Sequence, residues 1–334
     1  MKKVLIALLK YVIAFGIGGF LIWLSLHSLS QKDIADIKAA LSRARMWLIL
    51  PVFAILMLSH VFRCLRWKQL LVPMGFRPPV FDLVCALMIG YIGNQLIPRA
   101  GEILRCTVIT KKNKIPFEKL IGTIIAERVI DLVCLAVLCV IVFFAEYSNI
   151  STYADEIFSK LESVGKGKWI LPVAAVAFII VMVFIIRKLK KSKWGKGVSR
   201  VLKGIREGLV SVKQVKNKLL FFIYTAAIWF CYIISTWIGC FTLEETTGLP
   251  ITTAMAMLIF GTFGIIIAPG GLGAYPVAIQ KTLIFYGING NIGLAVGWLL
   301  WLAQFIFTLL FGTLAYIALT ITKNKNEEHS SYSA

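Results

Sequence analysis

The sequence predicts an all-α polytopic membrane protein, with six spanning helices and two re-entrant hairpins arranged as an inverted repeat. Three observations lead there. The 334 residues are 59 % hydrophobic with a mean hydropathy of +0.83, well beyond the roughly 45–50 % apolar content of soluble domains. Six apolar runs reach the ~20 residues that cross a hydrocarbon core: about 4–26, 47–65, 119–145, 169–187, 219–241 and 292–321. Two shorter runs, 83–97 and 251–268, each end in a Gly/Pro-rich break.

Taken in order, the basic residues between these runs set the topology. Met1, Lys2 and Lys3 start in the cytoplasm, and the first run reads as a retained span rather than a cleaved signal. The second span returns, with Arg63, Arg66, Lys68 and Arg77 following on the inside. If 83–97 then crossed fully, Arg99, Arg105, Lys111, Lys112, Lys114 and Lys119 would all lie outside, against the positive-inside rule. The conflict disappears if 83–97 enters from the cytoplasm, breaks at Pro98, and residues 100–111 climb back. The span from 119 then delivers the loop 146–168 outside, with four acids against three lysines. Span 169–187 returns to a basic loop, and span 219–241 exits to Glu244 and Glu245. A second hairpin over 251–287, entered from outside, lets the last span end at Lys323 and Lys325 inside. One transmembrane domain over 1–321 results, with inverted halves of about 1–145 and 169–321, and a disordered cytoplasmic tail at 322–334. Gly93 precedes Pro98 by five residues, and Gly264 precedes Pro269 by five. Inverted repeats with broken helices are a transporter architecture, and irregular backbone at that depth needs protein or a hydrated cavity around it. A polar cavity between the hairpin tips is therefore expected.

The net charge of +20 points to membrane rather than nucleic acid. Twelve Lys/Arg against Glu207 fill the loop 187–218, a cytoplasmic segment that attracts an anionic membrane surface. Its Val198, Val201, Leu202, Ile205, Leu209 and Val212 fit an amphipathic helix there, or a simple solvated loop. Seven scattered cysteines and three separated histidines form no disulfide or zinc pattern. With no nucleotide loop, metal set or nucleophile motif, neither a cofactor nor a metal is expected.

Residues 93–105, GNQLIPRAGEILR, carry the first candidate site. Pro98 stops one helix and Gly101 permits close approach. The restarting helix presents its amides and partial positive charge to an anion, while Asn94, Arg99, Glu102 and Arg105 crowd the break. Arginine's planar fork suits phosphate. The competing reading makes Arg99 and Arg105 interfacial side chains that reach for water. Residues 126–131, AERVID, place Glu127 and Asp131 four apart on one helical face with Arg128 beside them. Such charges in a span face partners or water, as substrate and proton ligands or as a structural ion pair. In PGGLGAYP (269–276), Pro269, Gly270, Gly271 and Gly273 let backbone approach a ligand or a neighbouring helix. Gln280, Lys281 and Gln304 read as cavity-lining groups or interhelical hydrogen bonds.

GNQLIPRAGEILR followed by AERVID and PGGLG resembles the lysylphosphatidylglycerol synthetase transmembrane-domain family, also called the flippase-like domain family. The likeness covers nearly the whole chain and implies an eight-segment membrane unit that binds or translocates lipid. Carried over, the motif positions are Asn94, Pro98, Arg99, Gly101, Glu102 and Arg105; then Glu127, Arg128 and Asp131; then Pro269, Gly270, Gly271 and Gly273. Two departures stand out. The tail after residue 321 is too short for the aminoacyl transferase domain of bifunctional members, so synthase activity is not expected. Many members also carry an acid after PGGLG, where this chain has Ala274, Tyr275 and Pro276.

The expected function is a flippase of the cell inner membrane with both termini cytoplasmic, a non-enzyme moving a phospholipid or a polyprenyl-linked lipid, and a homodimer is compatible with it. The alternatives are a membrane-embedded enzyme acting on a lipid head group or lipid-linked sugar, and a scaffold for lipid-modifying enzymes. The topology has a direct check. A single cysteine at Lys111 or Lys114, in a background cleared of the native cysteines, is expected to react with an impermeant maleimide only from the cytoplasmic side.

Overall fold

The computed structural model describes residues 30–97, 100–147 and 215–331, together with Gly16, Gly19, Trp23 and His27, which are helical. The expected spans 4–26 and 169–187, the loop 148–168, the basic loop as far as 214, and Pro98 and Arg99 lie outside the described residues. Among the described residues every regular element is a helix. They are α1 (Gln31–Ser42), α2 (Ile49–Leu71), α3 (Val80–Leu96), α4 (Ala100–Asn113), α5 (Phe117–Ala145), α6 (Lys218–Cys240), α7 (Ile251–Ile267), α8 (Ala274–Phe285) and α9 (Gly290–Ser331). Among the described residues four stretches are long and apolar enough to cross a membrane: Met46–Met74, Phe117–Ala145, Lys218–Cys240 and Gly290–Thr322. The expected spans 47–65, 119–145, 219–241 and 292–321 fall on them. α3 and α7, with 17 residues each, reach only about 25 Å at ~1.5 Å per residue, short of the ~30 Å of hydrocarbon.

Both short helices stop by the same local device. Ile97, which precedes Pro98, is extended at φ −137°, ψ 114°. Ala268, which precedes Pro269, is extended at φ −121°, ψ 145°. A proline pushes the residue before it out of the helical region. Each pre-proline N–H still closes the last helical bond, Ile97 to the Gly93 carbonyl at 2.8 Å and Ala268 to the Gly264 carbonyl at 3.2 Å. The repeated five-residue Gly–Pro spacing is therefore the last helical turn plus its stop. The glycines also set the return. A Cβ on Gly264 would lie 2.9 Å from the Cα of Tyr275, so α8 packs directly on the backbone of α7.

α3 and α4 run antiparallel, fastened along their length. At the open end, Lys112 pairs with Asp82 at 2.9 Å, and Asn113 donates to the other Asp82 oxygen at 3.0 Å. In the middle, a Cβ on Gly90 would come within 2.8 Å of the Gly101 carbonyl oxygen. At the tip, the Gly101 N–H donates to Asn94 Oδ1 at 2.8 Å. The second tip turns through Gly270, Gly271 and Gly273, at φ 59°, 75° and 71°, a left-handed run that only glycine adopts cheaply. The two tips touch, with the Gln95 side chain over Gly270.

α9 links both pairs. Gly297 sits against the backbone of Pro276 in α8, Trp301 Nε1 donates to the Gly270 carbonyl at 2.8 Å, and Gly312 meets Ile92 and the Met88 carbonyl of α3. One apolar cluster gathers Trp67, Leu83, Leu87, Cys106, Ile109 and Phe307. Another gathers Met257, Tyr275, Ile279, Val296, Leu300 and Ala40. Residues 125–213 form a separate compact unit, whose described part continues α5 with an apolar exposed face at Leu132, Val133, Val137, Val140 and Phe144.

Four expectations need adjustment. α1 was not anticipated; Ser30 and Asp33 cap it reciprocally, and Asp33 accepts from Asn291 Nδ2 at 2.5 Å. The second apolar stretch does not end near 65, because α2 runs to Leu71 with Arg63 and Arg66 inside the protein. The returning arm extends past 111 to Asn113. The last helix runs through 322 to Ser331, where a tail was expected. Replacing Gly101 with Ala drives a methyl into the Gly90 carbonyl and the Asn94 side chain. The variant is expected to lose about 1–3 kcal/mol, read as a lowered melting midpoint of the purified chain in detergent.

Candidate functional site

The buried face of α2 carries an unusual load of polar groups. Ser59, His60, Arg63, Arg66 and Trp67 recur at helical spacing and are all buried, Arg63 at 5 % exposure and Arg66 at 0 %. The sequence reading placed both arginines as topology charges beyond the span. A helical-face projection would have shown His60, Arg63 and Trp67 aligned three and four apart, which is the signal that was available.

Trp67 is the pivot. Its indole N–H donates to Thr123 Oγ1 at 2.8 Å, and the Arg105 guanidinium lies over its ring, 3.6 Å from the centroid. Arg105 is 3 % exposed, so it is a buried cation stacked on an aromatic face rather than a side chain reaching for water. A desolvated contact of this kind contributes about 2 kcal/mol. Two turns earlier on α2, the His60 ring meets Tyr91 of α3 at 4.9 Å and Phe307 of α9 at 5.6 Å. Across α2, Arg63 Nη2 donates to Tyr232 Oη at 3.2 Å, and Arg66 Nη1 reaches Thr225 Oγ1 at 3.5 Å. The hairpin α3–α4 and the pair α2–α6 thus concentrate three guanidinium groups inside one unit.

The other expected positions distribute as follows. Asn94 is committed to capping the turn, so its oxygen serves the backbone first. Glu102 is half-buried on the first turn of α4, and its Oε2 is enclosed without a hydrogen-bond partner among the described residues. In the separate unit, Glu127 is fully buried, Asp131 half-buried and Arg128 exposed. Pro269, Gly271 and Gly273 are buried at the second tip, and Gly270 is half-buried. Gln280 donates to the Gly290 carbonyl at 3.0 Å, a helix-to-helix bond. Lys281 and Gln304 are exposed. The structure therefore brings Asn94, Gly101, Glu102 and Arg105 together on one hairpin, against the second tip through Gln95.

With this geometry in place, the comparisons are decisive on family. Residues 8–312 match the family described as Lysylphosphatidylglycerol synthase TM region. The chain belongs to that family. It is a multi-pass membrane protein by its family and by its apolar helices. It is similar to the UPF0104 membrane protein MJ1595 of Methanocaldococcus jannaschii, 22 % identical over 297 residues, which cover 83 % of this chain and 85 % of that one. It is also 29 % identical over 105 residues to the Glycosyltransferase AglD of Haloferax volcanii, a match covering 31 % of this chain and 17 % of the relative. No solved structure matches significantly.

The stacked pair gives a stability prediction. Trp67→Phe keeps an aromatic face under Arg105 but loses the bond to Thr123, for about 1 kcal/mol. Trp67→Ala removes both the face and the packing, for about 3–5 kcal/mol. Thermal unfolding of the detergent-solubilised protein should rank wild type above Phe above Ala.

Proposed function

We propose that the protein moves a phosphate-bearing lipid head group across the cell inner membrane, its acyl chains staying in the bilayer. The observation that carries the reading is the meeting of two helix pairs, each broken at a Gly–Pro stop, at tips in mutual contact through Gln95 and Gly270. Helices too short to span, turned back on themselves, suit a re-entrant arrangement in which broken ends face a substrate. The same pattern supports six spans and an inverted repeat with both termini cytoplasmic. On this reading the positive end of α4, with Arg99 and Arg105, attracts the phosphate. Glu102 sets the geometry of those cations and limits their net charge. Within α5, Glu127, Arg128 and Asp131 form a second group of lipid-binding positions on this reading, with a proton role for the two acids. Separation and rejoining of the tips alternates access. The cargo is a phospholipid or a polyprenyl-linked lipid, and the basic loop 187–218 holds the cytoplasmic face to anionic lipid.

A membrane-embedded enzyme acting on a lipid-linked sugar is the second reading, favoured by the partial match to a glycosyltransferase. Reconstitution separates the two. In proteoliposomes carrying a head-group-labelled phospholipid, wild type is expected to expose label across the bilayer without changing its mass. Arg99→Ala and Glu102→Gln are expected to slow exposure at least tenfold, an effect of the size that loss of one charge-assisted hydrogen bond produces, about 1.5–3 kcal/mol. Full activity in both variants excludes the hairpin as the site, and a mass-shifted lipid product establishes the enzyme.

A further inference from the structure

The contacts that hold each hairpin differ in kind from the contact that joins them. Within the first, α3 and α4 are tied by the Asp82–Lys112 ion pair at 2.9 Å and by the Gly101 N–H donating to Asn94 at 2.8 Å. Their backbones also interlock, since a Cβ on Gly93 would strike the Leu104 side chain and lie 3.4 Å from the Gly101 Cα. The second tip is tied instead to α9. Trp301 donates to the Gly270 carbonyl at 2.8 Å, and a Cβ on Gly297 would lie 2.7 Å from the Pro276 Cα. Gln280 of α8 adds its bond to the Gly290 carbonyl, at the start of α9, at 3.0 Å.

Between the tips, the Gln95 side chain rests on Gly270. Among the described residues no hydrogen bond joins the Gln95 amide to Gly270, so this is a van der Waals contact, weak atom by atom. Gly270 meets two demands at once. Its φ of 59° is left-handed, and a Cβ there would fall on the Gln95 side-chain oxygen, 3.9 Å from the Gln95 Cα. Gly287 meets only the first, with φ 78° and nothing within 4 Å of an added Cβ. Further along, α9 bears on α3: Gly312 meets Ile92, and a Cβ there would come 3.1 Å from the Met88 carbonyl oxygen. Ile92 and Met88 precede Gln95 by three and seven residues, about 5 and 10 Å along the helix. The crossing of α3 over α9 therefore sits within two turns of the tip contact, where a side-chain-free position lets one helix tilt on the other.

We propose that Gln95 and Gly270 form a gate: the fastened hairpin α3–α4 rocks as one lever on Gly312 and parts the tips, while the second tip stays with α9 through Trp301. This rests on the lipid-transport reading above and names the contact at which access alternates. The seam parts there because the ties on either side of it are hydrogen bonds, an ion pair and interlocked backbone, whereas the seam itself is one amide side chain laid on a glycine. Glycine at 270 lets the seam close fully, and the flexible glutamine opposite it fills the gap left by the missing side chain.

The 3.9 Å approach puts positions 95 and 270 within reach of a disulfide. The full chain, cleared of native cysteines and carrying Gln95→Cys with Gly270→Cys, is reconstituted with a head-group-labelled phospholipid and oxidised, and complete crosslinking is verified by intact mass. Oxidation is expected to slow lipid movement at least tenfold, and reduction of the same sample to restore it. Asp82→Cys with Lys112→Cys, joined by a short bifunctional thiol reagent, fastens the lever only to itself and should leave the rate within twofold. Full-rate movement with the tips crosslinked overturns the gate. If the double-cysteine variant does not fold, smaller changes decide. Gly270→Ala wedges the seam and should slow movement, Gly287→Ala has the same backbone in open space and should not, and Gln95→Ala added to Gly270→Ala should restore it. Failure of that rescue also overturns the gate. Spin labels at Lys111→Cys and Lys281→Cys, exposed on the two hairpins, give a readout independent of transport. Two distance populations are expected, the longer one raised by Gly270→Ala and lowered again by adding Gln95→Ala. A single distance, unchanged in these variants, overturns the rocking lever. Populations that shift as expected in a protein that moves no lipid leave the gate standing and remove transport. Movement that continues through crosslinked tips leaves transport standing and removes the gate.

Discussion

A helix that stops inside apolar surroundings leaves polar backbone groups that have no water to turn to, and the architecture answers that constraint twice. At the first break the Ile97 N–H finds Gly93, the Ala100 N–H finds Ile97, and the Gly101 N–H finds the Asn94 side chain. At the second, Gly271 N–H finds Ala268, Leu272 N–H finds Pro269, and Trp301 supplies the Gly270 carbonyl with a donor. The glycines follow from this. Groups satisfied so close to a turn bring two backbones together, and a side chain at Gly101 or Gly264 would hold them apart. The breaks are thus stable features on which charged side chains can be mounted.

The charges follow a second rule, that a buried cation is spread over soft or multiple partners. Arg105 lies on an indole, Arg63 on a phenol and Arg66 beside a hydroxyl. Trp67 shows how tightly these choices are coupled, since the ring that receives Arg105 is itself fixed by Thr123 at the start of α5. Burial of α2's polar face is in turn possible because α6 lies along it and α3, α4 and α9 close the remainder with apolar side chains. Family membership and site geometry therefore meet on a physical theme, the accommodation of buried cations inside a membrane protein.

Much of this was legible in the sequence where the signal is local. Proline and glycine mark a stop whatever surrounds them, so both breaks, their five-residue spacing and the returning arms were readable within a few residues. Arg63 and Arg66 were not, because counting positive charge along the chain assigns them to a loop, while their real environment depends on which face of α2 meets α6. Asn94 was read as a ligand for the opposite reason: its chemistry is right for binding, but the turn it sits on needs a cap first. The Asp82–Lys112 pair spans 30 positions and exists only in one register of α3 against α4, which no local pattern specifies. α1 was hidden by its mixed composition, being amphipathic rather than greasy.

The clasp between Asp33 and Asn291 joins positions 258 apart in the chain. Synthesis proceeds from the N-terminus, so the carboxylate emerges long before the amide that completes its coordination. Until then α1 keeps its own Ser30–Asp33 cap, and the apolar cluster that Ala40 joins with Leu243, Leu283 and Ile292 is incomplete. Ribosome and insertion machinery must therefore tolerate an unseated amphipathic segment through almost the whole of elongation. Its docking marks the arrival of the final helix.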